Sequence, residues 1–351
     1  MELLKNRQIY GPLSPSCFII AEAGVNHNGD LAIAKLLVDA AVDSGANAVK
    51  FQAFRADELA SVDAPKAQYQ LAGSEKTESQ LTMLKRLELP SSAYIELSRY
   101  CALKKILFLA SPFDVGSVDL LDSLGMPYFK IASGEITNYP LLRYVARKGR
   151  PILLSTGMST MEEVRSAIEF ISQTGNKDVI LLHCVTEYPA PVEAANLRAM
   201  IAMRDECHLP VGYSDHTIGV EVALAAVAIG ATVLEKHLTL DRDMKGPDHR
   251  ASLDPAEFKR MVELIRNIES AMGDGVKSPA QCEVANRVVA RRSICAAVSI
   301  TSGEVIRQEM LAYKRPGKGI SPRHFEKVIG RRAMRNYQAG ELLDWDGLYD
   351  S

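Results

Sequence analysis

Eight short apolar runs recur along the chain, and amphipathic stretches separate them. The runs are CFIIAEAG, NAVKFQA, ILFLAS, YFKIAS, PILLST, DVILLHC, PVGYSDH and TVLEKH. Inside these runs apolar residues do not alternate with polar ones, which is typical of parallel strands buried on both faces of a sheet. Eight strand–helix units of this kind predict an α/β fold, a (β/α)8 TIM barrel, over residues 1–272.

The stretches between the runs carry helical periodicity and helix-capping residues. LAIAKLLVDAAVDSG follows the first run, and the last barrel helix is predicted within DPAEFKRMVELIRNIESAMG. MEEVRSAIEFISQTG is preceded by Ser159 and Thr160, which are favourable N-cap residues, and it closes on Gly175 as a C-cap. These signals predict helices between the strands, as a barrel requires.

The pattern of apolar and polar residues changes after Gly273. Residues 273–290 are polar and predict a linker. Residues 291–351 contain short β-like runs broken by glycine and proline, such as RRSICAAVSITSGEVI and MLAYKRPGKGISP. We therefore predict a small, mostly irregular β domain after the barrel.

Composition limits the partners of this chain. With 47% hydrophobic and 24% charged residues and a formal net charge of −2, it has no global attraction to nucleic acid or to an acidic membrane surface. No apolar stretch reaches the roughly 18 residues of a membrane-spanning helix, and the N-terminal segment, broken by Pro12 and Pro15, lacks the apolar core of a signal peptide. The six cysteines are scattered and are expected to be free thiols. We predict a cytoplasmic protein with neither membrane nor nucleic-acid partners.

Polar side chains occur near the ends of most of the predicted strands, and the active sites of TIM barrels lie at that end. They are Glu22, Lys50, Gln52, Lys130, Ser133, Ser155, Ser214, His216 and His237, with Glu135 just beyond. Because burying unpaired charge is costly, these groups must converge on each other or on a ligand. Charges of both signs favour a polar, anionic substrate and acid–base chemistry. Lys50 and Lys130, with serine hydroxyls nearby, favour a phosphate site.

Two histidines end adjacent predicted strands. His216 closes the seventh strand and His237 the eighth, so their rings could converge. Two neutral imidazoles, with water and substrate oxygens, suit a divalent cation that acts as a Lewis acid on a carbonyl. The alternative is a pair of hydrogen-bonded core histidines. His183 is expected to be structural, and His27, in the first loop, could contact substrate.

These segments resemble the motifs of a known family. IAEAGVNHNGD, VKFQ, FKIASGEITNYPLL, LSTGMST, HCVTEYPAP, GYSDHT, EKHLTLDRDMKGPDH and KRPGKGIS occur in this order. Over nearly its whole length the chain resembles the sialic acid synthase family of nonulosonate synthases, and its last domain resembles their antifreeze-like (SAF, β-clip type) domain. The resemblance implies condensation of phosphoenolpyruvate with an open-chain, N-acetylated mannose-type sugar, assisted by Mn²⁺ or Mg²⁺, with phosphate released by C–O cleavage.

The same resemblance implies a role for each matching residue. Glu22 matches the catalytic carboxylate, and His216 and His237 match the metal ligands. The implied phosphoenolpyruvate contacts are Lys50, Lys130, Ser133, Ser155 and Ser214. The implied sugar contacts are Gln52, Glu135, Tyr188, Asp248 and Arg315. Arg315 matches an arginine that the antifreeze-like domain inserts into the barrel of the partner subunit, which implies a domain-swapped homodimer.

One departure concerns the choice of sugar. Sialic acid synthases proper have an asparagine two residues before the tyrosine that matches Tyr188, whereas this chain reads Thr186-Glu187-Tyr188. Together with GPDHRASL, this favours the branch that makes N,N′-diacetyllegionaminate from 2,4-diacetamido-2,4,6-trideoxymannose, with Thr186 and Glu187 in a specificity loop. N-acetylneuraminate synthase is the main alternative, followed by pseudaminate synthase.

Two further alternatives agree less well with the residues. A condensing enzyme that acts on sugar phosphates would need a second phosphate site, and no further Lys/Arg cluster ends a predicted strand. A non-enzymatic carbohydrate- or ice-binding protein would not need the charges at the strand ends. A metal-dependent aldolase is a different enzyme class that the strand-end residues alone leave open.

Overall fold

The computed structural model of the protein describes residues 16–73 and 78–349. The N-terminal segment in which we predict no signal peptide lies outside these residues. Within the described part, no helix combines the length and the apolar composition needed to cross a membrane. The chain divides into two compact units, residues 1–274 and 275–351.

Eight parallel strands form the first unit. They are β1 (Phe18–Gly24), β2 (Ala48–Ala53), β3 (Leu107–Pro112), β4 (Phe129–Ile131), β5 (Ile152–Ser155), β6 (Val179–Cys184), β7 (Val211–Asp215) and β8 (Val233–His237). Their order in the sheet is β3-β2-β1-β8-β7-β6-β5-β4, and the two end strands, β3 and β4, also contact each other. Each predicted apolar run contains one of these strands, and the predicted TIM-like barrel is confirmed.

A helix follows each strand and packs its buried side against the sheet. These helices are α1 (Leu31–Asp43), α5 (Ser91–Lys104), α6 (Val115–Ser123), α7 (Tyr139–Ala146), α8 (Met161–Ser172), α9 (Leu197–Cys207), α10 (Glu221–Ala228) and α11 (Pro255–Met272). Three short helices lie between β2 and α5, namely α2 (Ala56–Leu59), α3 (Gln70–Gly73) and α4 (Gln80–Leu87). Strands and helices share one apolar core, because both faces of the parallel sheet are covered.

Capping follows the sequence signals in α8. The Thr160 hydroxyl accepts from the amide of Glu163, and the Glu163 carboxylate accepts from the amide of Thr160, which completes a capping box. The helix ends at Ser172, earlier than the predicted Gly175. Gly175, with φ of 91°, instead ends the turn that follows, and its amide donates to the carbonyl of Ser172.

The second unit is small and has its own core. It begins with α12 (Val284–Ala290), which lies in the segment predicted as a linker, and contains α13 (Phe325–Val328). Two antiparallel pairs follow, β9 (Ser293–Ala296) with β10 (Leu311–Lys314) and β11 (Arg332–Ala333) with β12 (Leu348–Tyr349). Its buried side chains include Ile294, Ile306, Val328, Tyr337 and Leu343.

Candidate active site

The C-terminal ends of the barrel strands surround a cavity of about 340 Å³. Eleven of the residues singled out in the sequence line it: Glu22, Lys50, Gln52, Lys130, Ser133, Ser155, Thr186, Tyr188, Ser214, His216 and His237. Most of them come from different strands, so only the closed barrel brings them together. The position of this cavity agrees with the rule that function lies at this end of the fold.

Strand register aligns the charged side chains at one level. Glu22 of β1 is opposite Lys50 of β2 on one side and His237 of β8 on the other. The β1–β2 register shifts between Glu22 and Gly24, where the chain takes φ of 52°. A Cβ at Gly24 would lie 3.3 Å from Oε1 of Glu22, so glycine leaves room for that carboxylate.

Two carboxylates and two ammonium groups form the buried centre of the cavity. Nζ of Lys50 lies 2.8 Å from Oε2 of Glu22 and 3.7 Å from Oε2 of Glu235. Nζ of Lys130 lies 3.4 Å from Oε1 of Glu235. All four residues are buried. Glu235 therefore lies between the two lysines and partly neutralises both.

The two carboxylates differ in their affinity for protons. Burial raises the pKa of Glu22 to about 7, although Lys50 opposes the shift. Burial also disfavours ionised Glu235, but Lys130 and Lys50 outweigh this effect and lower its pKa to about 2. At neutral pH Glu235 is ionised, whereas Glu22 is divided between its protonated and ionised forms.

Hydroxyl groups surround the lysines. Ser214 donates to Oε1 of Glu235 over 2.9 Å, and Lys50 donates to the hydroxyl of Ser111 over 3.1 Å. The hydroxyl of Ser133 lies 3.0 Å from Sγ of Cys184. The Ser155 hydroxyl is buried, lines the cavity and has no hydrogen-bond partner among the described residues. Cationic and hydroxyl donors thus surround one space, which suits a phosphorylated, carboxylated ligand.

His216, directly after β7, and His237, the last residue of β8, lie next to each other. The ring centroids of His216 and His237 are 5.4 Å apart. Nδ1 of His216 lies 2.6 Å from the carbonyl oxygen of Val185 and must donate to it, which leaves the lone pair of Nε2 free. Burial lowers the pKa of His216 to about 4, and burial with the neighbouring His216 keeps the pKa of His237 well below its ordinary value. Both rings are therefore neutral at pH 7.

Aromatic rings form another wall. The Tyr188 ring centroid is 4.1 Å from that of His216 and 5.5 Å from that of His237. On its other side Tyr69 lies 4.7 Å away, and Tyr69 also lines the cavity. Burial and the nearby carboxylate of Asp248 raise the pKa of Tyr69, so Tyr69 stays a neutral phenol.

The remaining predicted site residues lie outside the cavity lining. Glu135 is half-buried, and its carboxylate accepts from the side-chain amide of Asn138 over 2.7 Å, and Asp248 is buried. Burial raises the pKa of Asp248 to about 6 against the effect of Lys50. Glu187 is exposed, and Arg315 lies directly after β10 in the second unit, also exposed.

The two other histidines named in the sequence have local partners. Nε2 of His183 lies 2.9 Å from the carbonyl of Ala195. Nδ1 of His27 accepts from the amide of Gly29, which orients the ring, and burial lowers the pKa of His27 to about 4. Neither residue lines the cavity.

Sequence reasoning left Glu235, Ser111 and Tyr69 without a role. Glu235 had a usable signal, because it lies two positions before His237 in a strand and must face the same side. Ser111 is the penultimate residue of β3, the strand whose end supplied no candidate. Tyr69 lies in the irregular connection between β2 and α5, where no periodicity indicates a direction.

Comparison with known proteins agrees with this geometry. Residues 37–277 match the NeuB family, and residues 291–348 match the SAF domain. The chain belongs to the NeuB family. The match covers most of the barrel, and the SAF match covers the second unit, so the resemblance predicted from the motifs is confirmed.

Two NeuB relatives carry the same name. The N,N'-diacetyllegionaminic acid synthase of Campylobacter jejuni is 49% identical over 327 residues, which cover 93% of this chain and 98% of that protein. The N,N'-diacetyllegionaminic acid synthase of Legionella pneumophila is 46% identical over 349 residues, covering 97% and 98%. The crystal structure of an N-acetylneuraminic acid synthetase from Leptospira borgpetersenii has a TM-score of 0.69 and 36% identity, covering 78% of this chain and 90% of that one.

Proposed function

We propose that this protein condenses phosphoenolpyruvate with 2,4-diacetamido-2,4,6-trideoxymannose to give N,N′-diacetyllegionaminate and phosphate. The observation that carries the proposal is the single cavity in which Lys50, Lys130 and Glu22 lie beside the His216–His237 pair. Membership of the NeuB family, with relatives of 49% and 46% identity named as this synthase, supports the same reaction. The enzyme is proposed to act in the cytoplasm.

Phosphoenolpyruvate is the ligand proposed for the cationic side of the cavity. Lys50 and Lys130 supply the ammonium groups, and Ser133, Ser155 and Ser214 supply hydroxyls at neighbouring strand ends. In the free protein Glu235 is the counter-ion of both lysines. The trianionic substrate takes over part of that role, because charge-assisted hydrogen bonds to its phosphate and carboxylate replace the two ion pairs with Glu235.

His216 and His237 are proposed to hold Mn²⁺ or Mg²⁺. The two rings fit such a cation, because both are neutral, Nε2 of His216 has a free lone pair, and Nδ1 of His237 has no hydrogen-bond partner among the described residues. No group of three or more His, Cys, Asp or Glu side chains in the described part could hold a metal, so water and substrate oxygens would complete the ligands. When bound, such a cation polarises a carbonyl oxygen as a Lewis acid.

The reaction consists of two bond-forming steps and one bond-breaking step. C3 of phosphoenolpyruvate attacks the aldehyde carbon of the open-chain sugar, water adds at C2, and phosphate leaves by cleavage of its C–O bond. Glu22 is fixed by Lys50 within the cavity and, with a pKa of about 7, can accept or return the proton that these steps move. The ammonium groups of Lys50 and Lys130 neutralise the negative charge of the departing phosphate.

Sugar contacts are proposed along the opposite wall. Gln52 and Tyr188 line the cavity, Asp248 is buried, and Glu135 directly follows the cavity-lining Gly134. The Thr186 hydroxyl lines the cavity, is buried and has no partner in the described part of the chain, so it is available to a polar substituent of the sugar. Glu187 is exposed and would act on specificity only through its loop.

The last proposed sugar contact is Arg315 from a partner subunit, within a domain-swapped homodimer. The second unit and the barrel unit have net charges of opposite sign, which supports the proposed contact between partner subunits. Of 41 Lys and Arg and 43 Asp and Glu residues, the second unit has 13 and 8, which leaves 28 and 35 in the barrel unit. A basic SAF unit is therefore attracted to an acidic barrel.

The test is phosphate release from phosphoenolpyruvate with Mn²⁺ and either 2,4-diacetamido-2,4,6-trideoxymannose or N-acetylmannosamine. We expect kcat/KM to be at least about 10-fold higher for the diacetamido sugar, because hydrogen bonds to the C4 amide are worth about 1–3 kcal/mol. A preference for N-acetylmannosamine would identify an N-acetylneuraminate synthase instead. No release with either sugar would reject the condensation, and chelator-treated enzyme is the control for the metal.

A further inference from the structure

Asp215 and Lys236 form a fully buried ion pair between β7 and β8. Nζ of Lys236 lies 2.7 Å from Oδ2 of Asp215, and both side chains are 0% exposed. Their neighbours in each strand, Ser214 and His216 in one and Glu235 and His237 in the other, line the cavity. Since side chains alternate along a strand, the ion pair lies on the opposite face, away from the cavity.

The ion pair also forms hydrogen bonds with Thr217, the residue that directly follows His216. Oδ1 of Asp215 accepts from the amide of Thr217 over 3.0 Å and from its hydroxyl over 2.8 Å. Nζ of Lys236 donates to the carbonyl oxygen of Thr217 over 2.5 Å. His216 is thus held on both sides by a cluster whose lysine directly precedes His237.

Stability alone does not explain this arrangement. A buried ion pair loses its hydration, and apolar residues of similar volume are often as stabilising or more so. The ion pair instead contributes positional specificity, because a charge-assisted contact fixes one register between two strands. Here that register sets the separation of the two histidine rings, 5.4 Å between centroids.

We propose that Asp215, Lys236 and Thr217, here called the outer clamp, are positioning residues that hold His216 and His237 at ligand spacing before the metal binds. The inference rests on the metal site of the proposed function. Ligands that are already in place lose less freedom on binding, so the outer clamp increases metal affinity without touching the ion. Side chains that orient metal ligands commonly change affinity by about 10–100-fold.

The experiment measures the Mn²⁺ dissociation constant of the chelator-stripped full-length protein by titration calorimetry. The main variant is Asp215→Asn with Lys236→Met, which removes the ion pair without leaving one charge buried. We expect about 10-fold weaker Mn²⁺ binding at a temperature where circular dichroism shows the variant folded. Arg165→Gln with Glu206→Gln, which removes an exposed ion pair, is the matched control and should bind as the wild type does.

A purely structural role would lower the melting temperature of the double variant but leave its dissociation constant unchanged, and that result overturns the proposal. Thr217→Val provides a second, nearly isosteric variant that removes only the hydroxyl contact to Asp215. It should weaken Mn²⁺ binding about 3-fold; unchanged affinity would overturn the proposal even if the double variant does not fold. His216→Ala tests the metal site separately from the outer clamp. Normal Mn²⁺ binding by this variant would reject the metal site itself.

Discussion

Lys50 and Glu22 face each other in the parallel register of β1 and β2, with Nζ of Lys50 2.8 Å from Oε2 of Glu22. One is the predicted ligand of the substrate phosphate and the other the predicted proton carrier. Their contact holds the Glu22 carboxylate inside the cavity, and both side chains are buried. The two predicted roles would then be coupled through one pair of side chains.

Replacing Glu22 by glutamine tests the proton-transfer role. Glu22→Gln keeps the shape and can still accept a hydrogen bond from Lys50, so we expect a folded protein that binds phosphoenolpyruvate. Without a titrating group kcat should fall by about 10²–10⁴-fold. Steady-state phosphate release gives kcat, and thermal melting shows whether the fold is intact. Glu96→Gln, at an exposed ion pair with Lys35, is the control; near wild-type turnover in Glu22→Gln would remove Glu22 from the mechanism.

The counter-ion role of Glu235 predicts a reciprocal effect on stability and binding. Glu235→Gln leaves the ammonium groups of Lys50 and Lys130 without their shared carboxylate, and breaking a buried pair in this way typically costs roughly 3–5 kcal/mol. The melting temperature of the free protein should therefore fall. Phosphoenolpyruvate supplies the missing negative charge, so the rise in melting temperature on adding it should exceed the wild-type rise. An equal or smaller rise would contradict this role.

The sequence predicted the barrel because both faces of its strands are buried. That burial produces apolar runs without alternation, and the runs PVGYSDH and TVLEKH coincide with β7 and β8. The sequence also predicted most of the polar side chains that line the cavity, because a polar residue at the end of an apolar run is costly to bury without a partner or a ligand. Helix ends were less accurate, as the early end of α8 at Ser172 shows, because several turns can close a helix at similar cost.

The parts of the site that sequence reasoning missed depend on contacts between distant segments. Tyr69 reaches the cavity by stacking on Tyr188, more than a hundred positions away, and no local pattern reports such a contact. The buried pair of Asp215 and Lys236 is similar: alternation along TVLEKH places Glu235 and Lys236 on opposite faces, but only the paired strands show that Lys236 meets Asp215.

Tyr69 is predicted to contribute to sugar binding. It lies against Tyr188 and near Asp248, both proposed sugar contacts, and it lines the cavity. Tyr69→Ala removes a ring whose packing is worth about 0.5–1.5 kcal/mol beyond its buried area, so KM for the sugar should rise about 10-fold. KM for phosphoenolpyruvate should change little. Tyr69→Phe, which keeps the ring, is the matched control. Equal losses for both substrates would indicate a general disturbance of the site.

Arg315 allows a test of the domain-swapped dimer that needs no knowledge of how the units dock. Glu22→Gln inactivates the barrel of its own chain, whereas Arg315→Ala inactivates the barrel that receives its SAF unit. Each variant alone should form inactive homodimers. If Arg315 acts on the partner subunit, a heterodimer of the two variants contains one site with both groups intact.

Coexpression with two different tags yields that heterodimer, and it should show about half the wild-type kcat per dimer, since one of its two sites is complete. Two wild-type chains carrying the same tags are the control for the purification. If Arg315 instead serves its own barrel, each site of the heterodimer lacks one group and the activity stays at the level of the parents. An active Arg315→Ala homodimer would show that the reaction does not need this guanidinium at all.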